Sequence, residues 1–175
     1  MTDAARRLEA AGCDAVAITS NTSHLAMDAV RKAVGVPLIS LFDAVRDRFA
    51  AIGARRPLLL GTPFVMTGPF WRRRLIEVSG IECLVPNAAD RAEVDRVIFE
   101  ELIRNDIREA SRQAYLHTID RGRAEGADAV ILGCTEIPLL IEQAHTALPL
   151  VDTTAEHAAL IARFAHGAPL AGGEG

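Results

Sequence analysis

Ala129-Val130-Ile131-Leu132-Gly133-Cys134-Thr135-Glu136 is the stretch on which the fold turns. Four consecutive apolar residues read as a buried strand. Gly133 ends the run and leaves a thiol and two polar groups at the strand's mouth. Upstream the chain writes nearly the same phrase. Ala10, Gly12, Asp14, Ala15 and Val16 match Ala124, Gly126, Asp128, Ala129 and Val130 at a constant offset of 114 (124 − 10). On that offset Ser20 falls on Cys134. A second echo sets Val36-Pro37-Leu38-Ile39 against Leu148-Pro149-Leu150-Val151, offset by 112 (148 − 36). A duplicated strand–helix–strand unit accounts for both echoes. The alternative is that all such units look alike, but Gly-x-Asp-Ala-Val matches residue for residue.

Working outward, Asp3 caps a first helix that Gly12 ends. A strand over 15–19 and a loop over 20–24 lead into a helix through Val34. A strand over 36–40 and a helix over 43–52, closed by Gly53, follow. The next strand, 58–60, is turned by Gly61-Thr62. A helix over 70–78 precedes a strand over 81–85, which Pro86-Asn87 closes. A long helical region runs from 91 to 123 with a break near Asn105-Asp106. Strand 129–132, a short helix over 137–143, strand 148–151 and a helix over 154–166 complete the order.

Strands alternating with helices imply an α/β fold with parallel sheets and helices on both faces. The repeat divides it into two pseudo-symmetric units. Residues 1–54, joined by a C-terminal helix at 152–167, form the first. Residues 55–151 form the second, and 168–175 a flexible tail. The first unit opens on a helix, where a doubly wound domain normally opens on a strand and a Gly-rich turn. It therefore reads as truncated by one strand–helix unit.

The chain has 175 residues, 50% hydrophobic and 24% charged, with a net charge of −4. That balance argues against a nucleic-acid surface. No apolar run reaches the roughly 18 residues of a membrane span. The polar N-terminus lacks a signal peptide's apolar core, so the expected location is cytoplasmic. The three cysteines are widely spaced and suggest neither a disulfide framework nor a zinc site. Cys13 and Cys83 sit beside apolar strands as small core residues, whereas Cys134 lies at a loop where a side chain meets a ligand. There is no dinucleotide fingerprint and no Walker loop, and the histidines show no metal-ligand spacing. No cofactor and no metal are expected.

Parallel sheets bind ligands at the carboxyl ends of their strands. Two facing strand ends, each with a proton-carrying side chain, suit proton removal from one face of a carbon and delivery to the other. A thiol does this when its pKa is brought toward the working pH. Helices start after both loops, and their N–H groups suit a substrate carboxylate. Asn21, Thr22, Thr62 and Thr135 add neutral donors.

Ser20-Asn21-Thr22-Ser23-His24 resembles the Cys-Asn-Thr-x-His motif of the aspartate/glutamate racemase family. Gly133-Cys134-Thr135-Glu136 is similar to that family's Gly-Cys-Thr-Glu motif. Leu60-Gly61-Thr62 with Met66, Phe99-Glu100-Glu101-Leu102, and Asp152-Thr153 with His157 also look like it. The resemblance runs from residue 1 to about residue 165. It implies a cofactor-independent racemase acting on a small amino-acid or dicarboxylate substrate, acidic amino acids foremost, and working as a homodimer. Carried over, Cys134 and Ser20 hold the catalytic positions. Asn21, Thr22, Thr62 and Thr135 contact substrate, and Glu136 orients the loop. Serine stands where the family has its first catalytic cysteine. A hydroxyl is a poor base without a strong partner, and the nearest candidate, His24, fits a capping or packing role better. Three readings follow: an amino-acid racemase, a one-thiol decarboxylase or isomerase of a related acid, and an inactive paralogue that binds a small acid or only dimerises.

Overall fold

The structure is a computed structural model and describes residues 1–170. The last part of the tail expected from residue 168 lies outside the described residues. Helix α1 (Thr2–Ala10) leads to strand β1 (Val16–Ala17). A 3₁₀ turn (Thr22–Ala26) runs into helix α2 (Met27–Arg31), then strand β2 (Leu38–Ile39) and helix α3 (Leu41–Ile52). Strand β3 (Leu58–Leu60) is followed by helices α4 (Pro63–Thr67), α5 (Pro69–Ser79), α6 (Ala88–Glu100) and α7 (Glu109–Ala124). Strand β4 (Val130–Leu132), strand β5 (Leu150–Asp152) and helix α8 (Thr153–Ala165) close the order. Both sheets are parallel, as expected: β1 pairs with β2, and β3, β4 and β5 pair in that order.

The two echoes are visible as geometry. Helices α1 and α7 end at Ala10 and Ala124, and Gly12 and Gly126, two residues on, both take the left-handed conformation at φ +85° and +95°. Only a residue without a Cβ adopts that freely. Strands β1 and β4 then begin at Val16 and Val130. Val16 pairs with Leu38, and Val130 with Leu150, so the register within each unit reproduces the two sequence offsets. The helices after β2 and β5 are capped at matching positions. Ser40 Oγ accepts from Phe42 N at 3.2 Å, and Asp152 Oδ1 accepts from Thr154 N at 2.9 Å. Those two helices, α3 and α8, pack on one another.

One main core runs through both sheets, from Ala5 and Val16 through Phe42 to Leu59, Val130 and Val151. The strands β3 and β4 are buried along their whole length. Each such Leu, Ile or Val contributes about 1.5–3 kcal/mol over leaving it in water. A second, smaller cluster of Ile39, Ala44 and Leu160 fills the seam between β2, α3 and α8.

Several expectations are corrected. The strand over 81–85 is reduced to one bridge, Leu84 to Leu58. Leu84 N donates to Pro57 O at 2.8 Å and Leu59 N to Leu84 O at 2.9 Å. The next bond on either side needs an N–H from Pro57 or Pro86, and proline has none. The helix over 137–143 is two 3₁₀ turns, Ile137–Leu139 and Gln143–His145. Glu142 leaves the helical region between them, and its N–H donates to His145 Nδ1 at 3.0 Å. The helix from residue 24 to Val34 is instead the 3₁₀ turn and the short α2. The long helical region does break at Asn105, φ 57°, as expected, but its α-helix already gives way at Glu101 to a 3₁₀ turn over Leu102–Arg104. Helix α4 was not anticipated. No helix of the described residues is long and apolar enough to cross a membrane.

Candidate active site

Ser20 follows β1 and Cys134 follows β4, so each sheet delivers one side chain from the carboxyl end of a strand. Both line one cavity of about 260 Å³, together with Asn21, Thr22, Thr62, Thr135 and Glu136. Every residue expected at the site from the sequence is therefore on its wall. The cavity also has an apolar wall of Ile98 and Phe99 from α6 and Ile103 beyond it, which the sequence reading did not place there.

The close approach of β3 and β4 sets the floor. Gly133 N donates to Leu60 O at 2.7 Å. A Cβ on Gly133 would lie 2.9 Å from that same oxygen, so glycine is required where the strand opens to Cys134. Thr62, at the end of β3, has a buried hydroxyl with no partner among the described residues. An unpaired hydroxyl on a cavity wall is an unfilled donor or acceptor for whatever enters.

Asn21 is held from both ends of its side chain. Trp71 Nε1 donates to its Oδ1 at 3.2 Å, and its Nδ2 donates to Thr153 Oγ1 at 2.9 Å. Thr153 in turn donates to Leu132 O at 2.9 Å. Indole N–H only donates, which fixes the orientation of the amide. The chain of bonds ties the loop after β1 to the end of β4 and the start of α8. Ser20 is thereby fixed relative to Cys134, and Asn21 keeps one amide hydrogen for a ligand.

His24 is buried and its ring serves the backbone. Leu41 N donates to Nε2 at 3.3 Å, so the proton is assigned to Nδ1, which donates to the carbonyl of Ser20 at 2.7 Å. It does not reach the Ser20 hydroxyl, which accepts from Ser23 N at 3.2 Å. Among the described residues Ser20 has no base. Burial, with smaller contributions from His157 and Arg31, pulls His24 down from 6.5 to about 4. His157, 5.7 Å from it ring to ring, is also lowered by burial and donates from Nε2 to Ile39 O. Both imidazoles are held below the ordinary histidine value in the folded state; for His24 the proton is taken up on unfolding between pH 6.5 and about 4. The stability that a neutral, buried His24 supports is complete above pH 6.5 and is lost as pH falls through that window. His24 alone is expected to account for up to about 3 kcal/mol. Urea unfolding at pH 7.0 and 4.5 reads this, and His24→Gln should flatten the pH dependence.

Cys134 Sγ donates to Glu136 Oε2 at 2.9 Å. Burial pushes the thiol up and the bond to Glu136 adds to it, while the N–H groups of Glu136 and Thr135 pull back only in part. The thiol is raised to about 12. Burial also raises Glu136, but the hydrogen bonds from Cys134 and Thr135 outweigh it and hold the carboxyl below its ordinary value. At neutral pH the resting site is thus a protonated thiol on a carboxylate. Glu136→Gln removes the anion and should speed alkylation of Cys134 by iodoacetamide about tenfold, since one pKa unit is a tenfold change in thiolate. Site-resolved mass spectrometry separates it from Cys13 and Cys83. An unchanged rate would contradict the role given to Glu136.

The apolar wall is anchored by Glu101, whose carboxylate is buried. Ser111 Oγ donates to it at 2.5 Å and Arg96 Nη1 at 2.7 Å. Burial raises this acid, and the hydrogen bonds and the charges of Arg96 and Arg108 bring it below its usual range. The anchor stands where α6 ends, between Phe99 and Ile103. The Trp71-Arg72-Arg73-Arg74 run is a helix face with a buried Trp71. Arg73 faces solvent, and Arg74 pairs with Asp28 and Glu77.

Two related α/β units with one site between their strand ends define the class of architecture. Within it the chain belongs to the Asp/Glu/hydantoin racemase family, which residues 1–161 match. A crystal structure of a proposed Asp/Glu racemase from Yersinia pestis is 39% identical, with a TM-score of 0.90 over 94% of this chain and 72% of that one. An aspartate racemase homologue from Pyrococcus horikoshii OT3 is 37% identical, with a TM-score of 0.86 and the same two coverages. The broad specificity amino-acid racemase RacX of Bacillus subtilis (strain 168) is 22% identical over 87% of this chain. The chain spans 65% of that relative's length.

Proposed function

We propose that this chain is a cofactor-independent racemase-type enzyme that moves a proton at the Cα of an amino acid, with Cys134 as the principal acid–base group. The observation that carries the reading is that Ser20 and Cys134, equivalent strand-end positions of two related units, open into one cavity ringed by neutral donors. A substrate carboxylate sits against Thr22, Thr62, Thr135 and the free amide hydrogen of Asn21. Once the Cys134 proton has left to solvent, the thiolate removes the Cα proton, and the carbanion is reprotonated from either face. Ser20, without a base, delivers a proton poorly, so the reaction is one-sided. The homodimer implied by the family resemblance belongs to this proposal. The test is solvent deuterium incorporation at Cα across a panel of amino acids by the native chain and Cys134→Ala. Absence of any Cys134-dependent exchange would remove the reading.

A second reading has one specific observation in its favour. A thiol raised to about 12 and paired with a carboxylate is better equipped to give a proton than to take one. A decarboxylase of a substituted malonate needs only that, since loss of carbon dioxide leaves the carbanion for Cys134 to protonate. Carbon dioxide release that disappears in Cys134→Ala would favour it, and malonates that stay intact would remove it.

A further inference from the structure

The cavity is lined by two unlike sets of side chains. Ser20, Asn21, Thr22, Thr62 and Thr135 are neutral polar residues suited to one carboxylate. Phe99 and Ile103 also line the cavity, as does Ile98, which is 1% exposed and packed in the core. Phe99 and Ile103 are 50% and 55% exposed, which is unusual for side chains of that size and leaves apolar surface open to the cavity. Neither belongs to the packed core. Among the described residues the cavity lining includes no Lys, Arg or His. Its one ionisable group besides the thiol is Glu136, a carboxylate.

The neighbouring cations are placed elsewhere. Arg96 is engaged by Glu93 and Glu101, and Arg108 by Asp106 and Glu101. Arg104 follows Ile103 but is exposed and is not part of the lining. A second substrate carboxylate entering beside Phe99 and Ile103 would lose water without gaining a positive partner, and it would share the cavity with the Glu136 carboxylate. Both effects oppose it. An alkyl or aryl group at the same place gains by covering the exposed wall.

Resting on the proton-transfer reading above, we propose that Ile98, Phe99 and Ile103 form the substrate side-chain pocket, and that the site selects a substrate with one carboxylate and an apolar side chain over a dicarboxylic one. The anchor at Glu101 holds this wall in place, so the preference is built into the break between α6 and the following turn. This proposal departs from the acidic amino acids that the family resemblance implies.

Binding tests this without requiring turnover. Isothermal titration of the native chain with 3-phenylpropionate and with glutarate compares the two side chains on one carboxylate. Trp71, the chain's one tryptophan, is bonded to Asn21 and provides a fluorescence signal for the same titrations. The aryl acid is expected to bind about tenfold more tightly or better, the least that covering such a wall contributes. Ile103→Lys, at an exposed position, should reverse the order. Equal or tighter binding of glutarate, an order unchanged in Ile103→Lys, or failure of both acids to bind would overturn the proposal. Tight glutarate binding lost in Arg104→Ala would overturn it too, by giving that arginine the role denied it here. The outcomes separate from those of the reaction. If the aryl acid wins but no amino acid exchanges its Cα proton, the pocket stands and the reaction falls. If exchange favours aspartate or glutamate, the reaction stands and the pocket falls.

Discussion

Ser20→Cys is expected to raise the rate of racemisation by about 100-fold or more, the lower end of what one well-placed acid–base group contributes. The native hydroxyl accepts a backbone N–H from Ser23, and His24 is turned to the Ser20 carbonyl. Among the described residues nothing on that strand end takes a proton from the hydroxyl, so in the proposed reaction that face gives and removes protons slowly. A thiol at the same place has a far lower pKa than a hydroxyl and needs less help. The change also loses the bond from Ser23 N, at a cost of about 1 kcal/mol to the turn. Enantiomer-resolved chromatography of each amino acid after incubation measures the gain. A rate unchanged from the native chain would show that Ser20 does not face the substrate.

Trp71→Ala is expected to destabilise the fold by about 3–5 kcal/mol from lost packing alone. Trp71 is fully buried and lies 5.3 Å from Phe42, ring to ring. Its removal also leaves Asn21 Oδ1 without a donor, which adds about 1–3 kcal/mol if the group stays dry. Against a typical total of about 5–15 kcal/mol, the variant stands near its unfolding midpoint. Trp71→Phe keeps most of the packing and loses only the bond, so it separates the two parts. Urea unfolding followed by far-ultraviolet circular dichroism reads both variants. A loss below about 1 kcal/mol for the alanine change would contradict the account.

Much of the second unit was legible in the sequence because its strands carry their own signal. Leu58-Leu59-Leu60 and Val130-Ile131-Leu132 are uninterrupted apolar runs stopped by glycine, and no other reading competes. The pairing of Ser20 with Cys134 was legible because the two strand–helix–strand units kept their register. The edge strand was misread because Ile81 to Val85 has a strand's composition, while the prolines that stop it act through hydrogen bonds to a different segment. Phe99 and Ile103 were not placed in the site because apolar residues at the end of a helix look the same whether they face a core or a cavity. The hold on Asn21 was equally hidden. Its partners are 50 and 132 residues away, and no local pattern announces them. The position of the strand-end residues was thus readable where the sequence repeated. Its walls and supports come from contacts distant in sequence.

The central claim is that one thiol, Cys134, works one face of a substrate carbon. Solvent deuterium exchange at Cα, measured separately from each pure enantiomer of the same amino acid, tests it most directly. Exchange from one enantiomer is expected to be at least about tenfold faster than from the other, abolished in Cys134→Ala and equalised in Ser20→Cys. Equal exchange from both enantiomers by the native chain, or exchange that survives in Cys134→Ala, would contradict it.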